Sequence, residues 1–240
     1  MSPINDLKAY LPTTKKEVQL RGWDELDVII FSGDAYIDHP AFGAAVIGRV
    51  LEHAGYKVAI VPQPDWRGDH RDFTKLGKPR LFFAITAGSM DSMVNHYTVS
   101  KRPREKDLYT PGGKMGARPD RATIVYCNKI REAYKNIDIV IGGVEASLRR
   151  MAHYDYWGNN VRNSILIDSG ADLLIYGMSE KQIVEVANAL NDGFEAKYIR
   201  HVNGTTYTID SLDEIYGDYK LIPSKEEVTN DKMKYAEAFK

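Results

Sequence analysis

Asp138-Ile-Val-Ile-Gly-Gly-Val-Glu-Ala-Ser-Leu-Arg-Arg-Met-Ala-His-Tyr-Asp-Tyr-Trp157 decides how this chain is read. A short apolar run ends in two glycines, then a carboxylate, two arginines, a histidine and a cluster of aromatics. Ordinary packing does not need that mixture at the end of a strand. In an open parallel α/β sheet the carboxyl ends of the strands are where ligands bind. Asp138–Ile141 is therefore read as a buried strand, and the segment after it as the rim of a site.

Working outward, the same kind of run recurs. Asp27–Phe31, Tyr56–Val61, Arg80–Thr86 and Asp172–Tyr176 are apolar without strict alternation, as strands buried on both faces are. Helical spacing separates them: Val46, Val50 and Ala54 after the first, with Pro40 suited to the opening turn and Gly55 to the close. A short helix is expected near 67–76. Asp120 to about Lys135 reads as a helix capped by Asp120, and Ser179-x-x-Gln182 as a capping box. Strands alternating with helices predict an α/β fold, a doubly wound and mainly parallel sheet of about five strands in flavodoxin-like order 2-1-3-4-5. Residues 1–25 are expected to form a lead-in, 26–192 the Rossmann-like domain, and 193–240 a small C-terminal extension. In that extension Asn203-Gly204 signals a hairpin between 198–202 and 205–209, and Ser224-x-x-Glu227 opens one helix running to Lys240.

Composition narrows the function. Among 240 residues, Lys and Arg total 32 and Asp and Glu 33, a net charge of -1. Nucleic-acid binding, which favours a basic excess, is not indicated. The single cysteine, Cys127, excludes an internal disulfide framework and any multi-cysteine metal or iron–sulfur site built from this chain alone. It fits a reducing cytoplasm. No run reaches the roughly 20 apolar residues of a membrane span. The expectation is a soluble cytoplasmic protein with no membrane partner.

Four segments carry candidate ligand-binding residues. Asp34, Asp38 and His39 follow the first strand, where a helix cap is the plainer reading of any one of them. Ser89, Asn95 and His96 follow the third strand, where ordinary turn chemistry accounts for Gly88 and Ser89 equally well. The connection 98–119 is long and basic and holds Gly112, Gly113 and Arg118; it is either a phosphate cradle or a solvated flap. The opening segment supplies Gly142, Gly143, Glu145, Arg149, Arg150, His153 and Trp157, which read as a ligand wall or an interface helix. Arg149 and Arg150 suit phosphate or carboxylate through bidentate hydrogen bonds. Because parallel strands put their carboxyl ends on one side, Asp34, His39, Ser89, Asn95, His96, Gly142, Gly143, Glu145, Arg149 and His153 are expected to converge on one crevice, with Arg149 exposed in it. No catalytic residue and no metal ligand is assigned.

The chain resembles the N-terminal part of the YgiQ-type family of radical-SAM proteins. The resemblance rests on Leu11-Pro-Thr-Thr14, Arg21–Asp27, Gly33–Pro40, Gly88–Tyr97, Tyr109–Gly113, Arg118–Ala122, Gly142–Arg150, Ala152–Trp157, Ser164–Ser169 and Ala171–Met178, in order over most of residues 11–190. It implies a parent protein that continues into a barrel, where three cysteines hold a [4Fe–4S] cluster and S-adenosylmethionine (SAM) binds the remaining iron. Cluster and SAM then belong to the parent only, and this chain would be an accessory domain at the barrel mouth, helping to bind cofactor or substrate. The barrel and an unknown substrate are the implied partners. The domain also resembles the cobalamin-binding-type Rossmann modules found ahead of many radical-SAM barrels, with Gly142-Gly143 and Gly177-Met-Ser-Glu180 at the matching turns. The lower-ligand type carries Asp-x-His-x-x-Gly; here Asp38 and His39 are adjacent. The alternative from another class is a non-enzymatic ligand-binding or docking module.

Overall fold

The computed structural model describes residues 9–215 and 217–240; residues 1–8 of the expected lead-in lie outside the described residues. The elements in chain order are α1 (Lys15–Leu20), β1 (Val28–Ser32), α2 (Gly43–His53), β2 (Val58–Pro62), α3 (Arg71–Thr74), β3 (Phe82–Thr86), α4 (Ser92–His96), α5 (Ala122–Ala133), β4 (Asp138–Ile141), α6 (Gly143–Leu148), β5 (His153–Asp155), β6 (Asn160–Arg162), α7 (Ile165–Ser169), β7 (Leu173–Ile175), α8 (Glu180–Asn191), β8 (Thr205–Thr206), α9 (Lys225–Asn230) and α10 (Lys232–Ala238).

The main sheet runs β2-β1-β3-β4-β7-β8. Its first five strands are parallel, the expected 2-1-3-4-5 order, and β8 joins antiparallel to β7 at the edge. The strands are apolar runs because both faces are covered. Ile30, Ile60, Ala84, Val140 and Ile175 face one core, shared with Leu51 of α2 and Ile183, Val186 and Leu190 of α8. Phe31, Val61, Ile85, Ile141 and Leu174 face the other, with Phe73, Tyr126, Ile130 and Ile165 from α3, α5 and α7. Period-two alternation within each strand thus sends successive apolar side chains to opposite layers. Ahead of β1, Leu11 is buried, and the Ile60 N–H donates to the Pro12 carbonyl at 2.9 Å.

Several local expectations are corrected. Helix α2 begins at Gly43, so Pro40 lies ahead of it rather than in its first turn. Asp120 does not cap α5; its carboxylate is taken by His96 Nδ1 (2.6 Å) and the Tyr97 hydroxyl (2.7 Å), and Arg121 in a left-handed conformation occupies the cap position. Ser179 precedes α8 without a side-chain capping bond. The 198–209 hairpin does not form. Tyr198 closes a 3-10 turn that buries Ile199 and Val202, and Thr205–Thr206 pairs with β7 instead, because burying those apolar side chains against the sheet outweighs a free-standing two-stranded ribbon. The terminal helix breaks at Asp231, whose backbone is extended and whose carboxylate accepts from Met233 N–H to start α10.

Candidate functional site

A crevice of about 320 Å³ opens at the carboxyl edge of β1, β3, β4 and β7, between the N-terminal ends of α2 and α8. Its floor is apolar: Ile30, Ala84, Val140 and Ile175, with Ile47 and Ile183 from the two helices. Its rim is the three turns Gly88-Ser89, Gly142-Gly143 and Gly177-Met178-Ser179. Among the described residues lining it, none is Lys, Arg or His, and Glu180 is the sole carboxylate. Pockets of this size, mostly apolar with a few polar groups at the mouth, are the usual form of small-molecule sites.

The glycines of the rim serve the protein first. Gly143 has φ +83, and a Cβ there would strike Thr86 Oγ1; Gly88 has φ +106, and a Cβ would strike the Asp34 carboxylate. Both turns are drawn tightly over the strand ends, which keeps the crevice mouth open. Gly143→Ala is expected to destabilise the chain by about 1–3 kcal/mol, because it puts a side chain in a left-handed conformation against a fixed neighbour. Chemical denaturation checks this, and an unchanged midpoint would refute the close-packing account of the rim.

Of the residues expected to converge, Ser89, Gly142 and Gly143 line the crevice. Asp34 lies beneath the rim, fully engaged. It accepts from the Ser89 N–H at 2.6 Å and from Arg118 at 2.7 Å. The Arg118 side chain is 0 % exposed and also donates to the Ala87 carbonyl at 2.6 Å, with Asp107 at 3.4 Å. The long connection is thereby folded down rather than open: the Ala35 N–H donates to the Tyr109 carbonyl at 3.0 Å and Gln63 donates to Thr110 Oγ1 at 2.6 Å. Gly112 and Gly113 take positive φ in its 3-10 turn and do not reach the crevice. Asp38 is held below the usual carboxylate range by its hydrogen bonds from Arg49. His39 is exposed, and its Nδ1 accepts from the Ala41 N–H at 3.1 Å.

Glu145 and Arg149 are packed into a second assembly, outside the lining of the slot. Glu145, 1 % exposed, accepts from the Ser92 N–H (2.8 Å), Ser92 Oγ (2.5 Å) and the Thr123 N–H (3.0 Å), so one carboxylate ties α6 to the starts of α4 and α5. Arg149 pairs with Asp91, whose other oxygen caps α4. Burial, then the nearby Glu145 carboxylate, pushes Asp91 above its ordinary range, against the pull of Arg149 and two backbone N–H groups. Asn95 and His96 are buried beside this assembly. Arg150 donates to the Ser147 carbonyl and lies over the Tyr176 ring at 4.9 Å. His153 lines a small hollow with Arg149, Arg121 and Asp168, and burial lowers its ring below the ordinary imidazole value. Trp157 packs edge-on against Tyr156, and its carbonyl accepts from Lys101 at 3.4 Å.

The expected single crevice is therefore two structures: an apolar, glycine-rimmed slot and a buried polar brace. Arg149 is not an exposed site arginine, and neither it nor Arg150 lines the slot. Sequence reading missed Ala44, Ile47, Met178, Glu180 and Ile183 as slot residues, although Gly177-Met-Ser-Glu180 already stood out as a turn. It also missed Asp91, Ser92, Asp107 and Thr123 as brace partners; Asp91-Ser92 ahead of an apolar segment was the available capping signal.

Three or more His, Cys, Asp or Glu side chains do not gather into a metal-holding group among the described residues. Cys127 is buried, and burial pushes its thiol up to about 12. These residues do not fit a [4Fe–4S] cluster. No helix among the described residues is long and apolar enough to cross a membrane.

Fold and crevice together define a Rossmann-like α/β module with its open site at the carboxyl edge of the sheet. The chain matches the family described as "Radical SAM N-terminal" over residues 10–240, and it belongs to that family. It is 66% identical over 231 residues to a UPF0313 protein of Clostridium perfringens, covering 96% of this chain and 35% of that protein. It is 58% identical over 231 residues to a UPF0313 protein of Clostridium botulinum, covering 96% of this chain and 36% of that protein. The chain thus spans about a third of the length of these relatives.

Proposed function

We propose that this chain is the N-terminal accessory domain of a radical-SAM enzyme, and that its slot holds part of a cofactor or substrate at the mouth of the catalytic barrel. The family match and the relatives' greater length support the parent assignment. In that reading the [4Fe–4S] cluster and SAM are carried by the parent's remaining chain, in the reducing cytoplasm. When bound there, the cluster would supply the electron for reductive cleavage of SAM, while the residues described here would bind and orient.

The observation that carries the ligand reading is the composition of the slot. Its apolar floor and lack of a lining cation select an uncharged or weakly polar moiety rather than phosphate, with backbone groups of the three turns supplying orientation. This replaces the phosphate reading of the two arginines.

Ala44 lines the slot from α2. In the full-length protein, Ala44→Phe should leave the reduced-cluster EPR signal in place. It should also cut at least tenfold the 5′-deoxyadenosine formation that a low-molecular-mass cell extract elicits. Undiminished stimulation in the variant would reject the slot as a ligand site.

A further inference from the structure

The sheet edge carries an apolar surface that nothing among the described residues covers. Val144 and Leu148 are spaced i, i+4 on α6, so they share a face; both are exposed, Leu148 at 65 %. Met178, 82 % exposed, stands beside Val144 at the rim of the slot. On the other flank, Leu148 and Met151 line a groove of about 270 Å³ with Ile222 and Phe239. The α6 face thus links slot and groove, with Val144 lining the first and Leu148 the second, beside Arg150 and His153 of the groove. Contiguous exposed apolar surface of this kind marks an interaction site. Burying it also suits a small-molecule site, because covering the mouth would exclude water from the slot.

What covers it follows from the course of the chain. Lys240 lines the same groove as Leu148 and Met151. The chain spans 35% of the relatives' length and matches a family defined as an N-terminal part. In proteins of that kind, the polypeptide after Lys240 starts at this surface. We infer that the strip formed by Val144, Leu148, Met151 and Met178 is the docking seat for the radical-SAM portion that follows in the same polypeptide, and that docking closes the slot. This rests on the accessory-domain reading above and adds the surface by which the two parts meet.

The test uses the full-length protein with a photo-crosslinking residue, p-benzoylphenylalanine, placed at Leu148 or at Met178, and cross-linked peptides mapped by mass spectrometry. Cross-links within one molecule to segments beyond residue 240 are expected at both positions. A control at exposed Leu108, on the connection between α4 and α5, should give at least fivefold fewer of them. Cross-links to a second copy, or yields at Leu148 and Met178 no higher than at Leu108, would overturn the inference. Since both side chains are exposed, their replacement should not unfold the domain; hydrogen exchange of β1 and β3 verifies this. The two readings fail separately. Cross-links beyond residue 240 with no effect of Ala44→Phe leave the seat standing and remove the slot. An effect of Ala44→Phe with cross-links to a second copy does the reverse.

Discussion

Arg118→Met is expected to destabilise the chain by about 3–5 kcal/mol, because it leaves buried carboxylates without their cation. The Arg118 side chain is 0 % exposed and holds three elements at once: Asp34 after β1, the Ala87 carbonyl after β3, and Asp107 in the long connection. Methionine keeps the apolar stem and removes the fork, so the loss reports the charge and its hydrogen bonds rather than a cavity. Lysine should restore little, since an ammonium lacks the rigid planar fork whose two nitrogens reach Ala87, Asp34 and Asp107. Adding Asp34→Asn and Asp107→Asn to Arg118→Met should recover part of the loss, the signature of coupled neighbours. Denaturant midpoints of the four proteins measure it. A shift within about 0.5 kcal/mol, the usual range for an uncoupled surface change, would show that Arg118 is not the clamp described. Because Asp34 also holds the Ser89 N–H, loss of the clamp should loosen the slot rim as well.

The second large effect concerns Arg149, and its sign reverses the expectation from sequence. An exposed site arginine would matter for turnover and little for folding. Paired with buried Asp91 behind α6, Arg149→Met should instead cost about 3 kcal/mol at pH 8. The pH dependence follows from Asp91. Its carboxyl already lies above its ordinary range, from burial first and Glu145 second, and Arg149 opposes that rise. Removing the arginine raises it further. A carboxyl raised in the folded state binds its proton before the unfolded chain does, so the native state gains relative stability as pH falls through the folded value. The deficit of the variant should therefore shrink between pH 8 and pH 5. A deficit that grows on acidification would contradict the pairing.

The fold was legible in the sequence where periodicity alone decides it. Five apolar runs without alternation, most of them separated by helical segments, have few solutions other than a doubly wound sheet, and the flavodoxin-like order is one of its two common forms. The ends of elements were less legible. Asp120 looks like a cap, but the side chains that claim it, His96 and Tyr97, come from the C-terminal end of α4. Asn203-Gly204 makes its turn, with Gly204 at φ +80, yet the partner of Thr205–Thr206 is β7 rather than the preceding segment.

The site divided along the same line. The glycine turns after β3, β4 and β7 were visible because topology puts all carboxyl ends together. The partners of the charged residues among them were not visible, because a sequence shows a charge but not what pairs with it. Glu145, Arg149 and Arg118 look like a ligand shell until Ser92, Asp91 and Asp34 are seen to hydrogen-bond to them. The slot's walls, Ile47 and Ile183 among them, gave no signal of their own; on one helix face an apolar residue over a cavity and one over the core look alike.

The most direct test of the central claim is anaerobic iron–sulfur reconstitution of two proteins side by side, the full-length parent and residues 1–240. A [4Fe–4S] EPR signal and SAM cleavage to 5′-deoxyadenosine are expected in the parent, and no cluster on residues 1–240, whose one cysteine is buried. A cluster assembled on residues 1–240, or a parent that neither binds a cluster nor cleaves SAM, would contradict it.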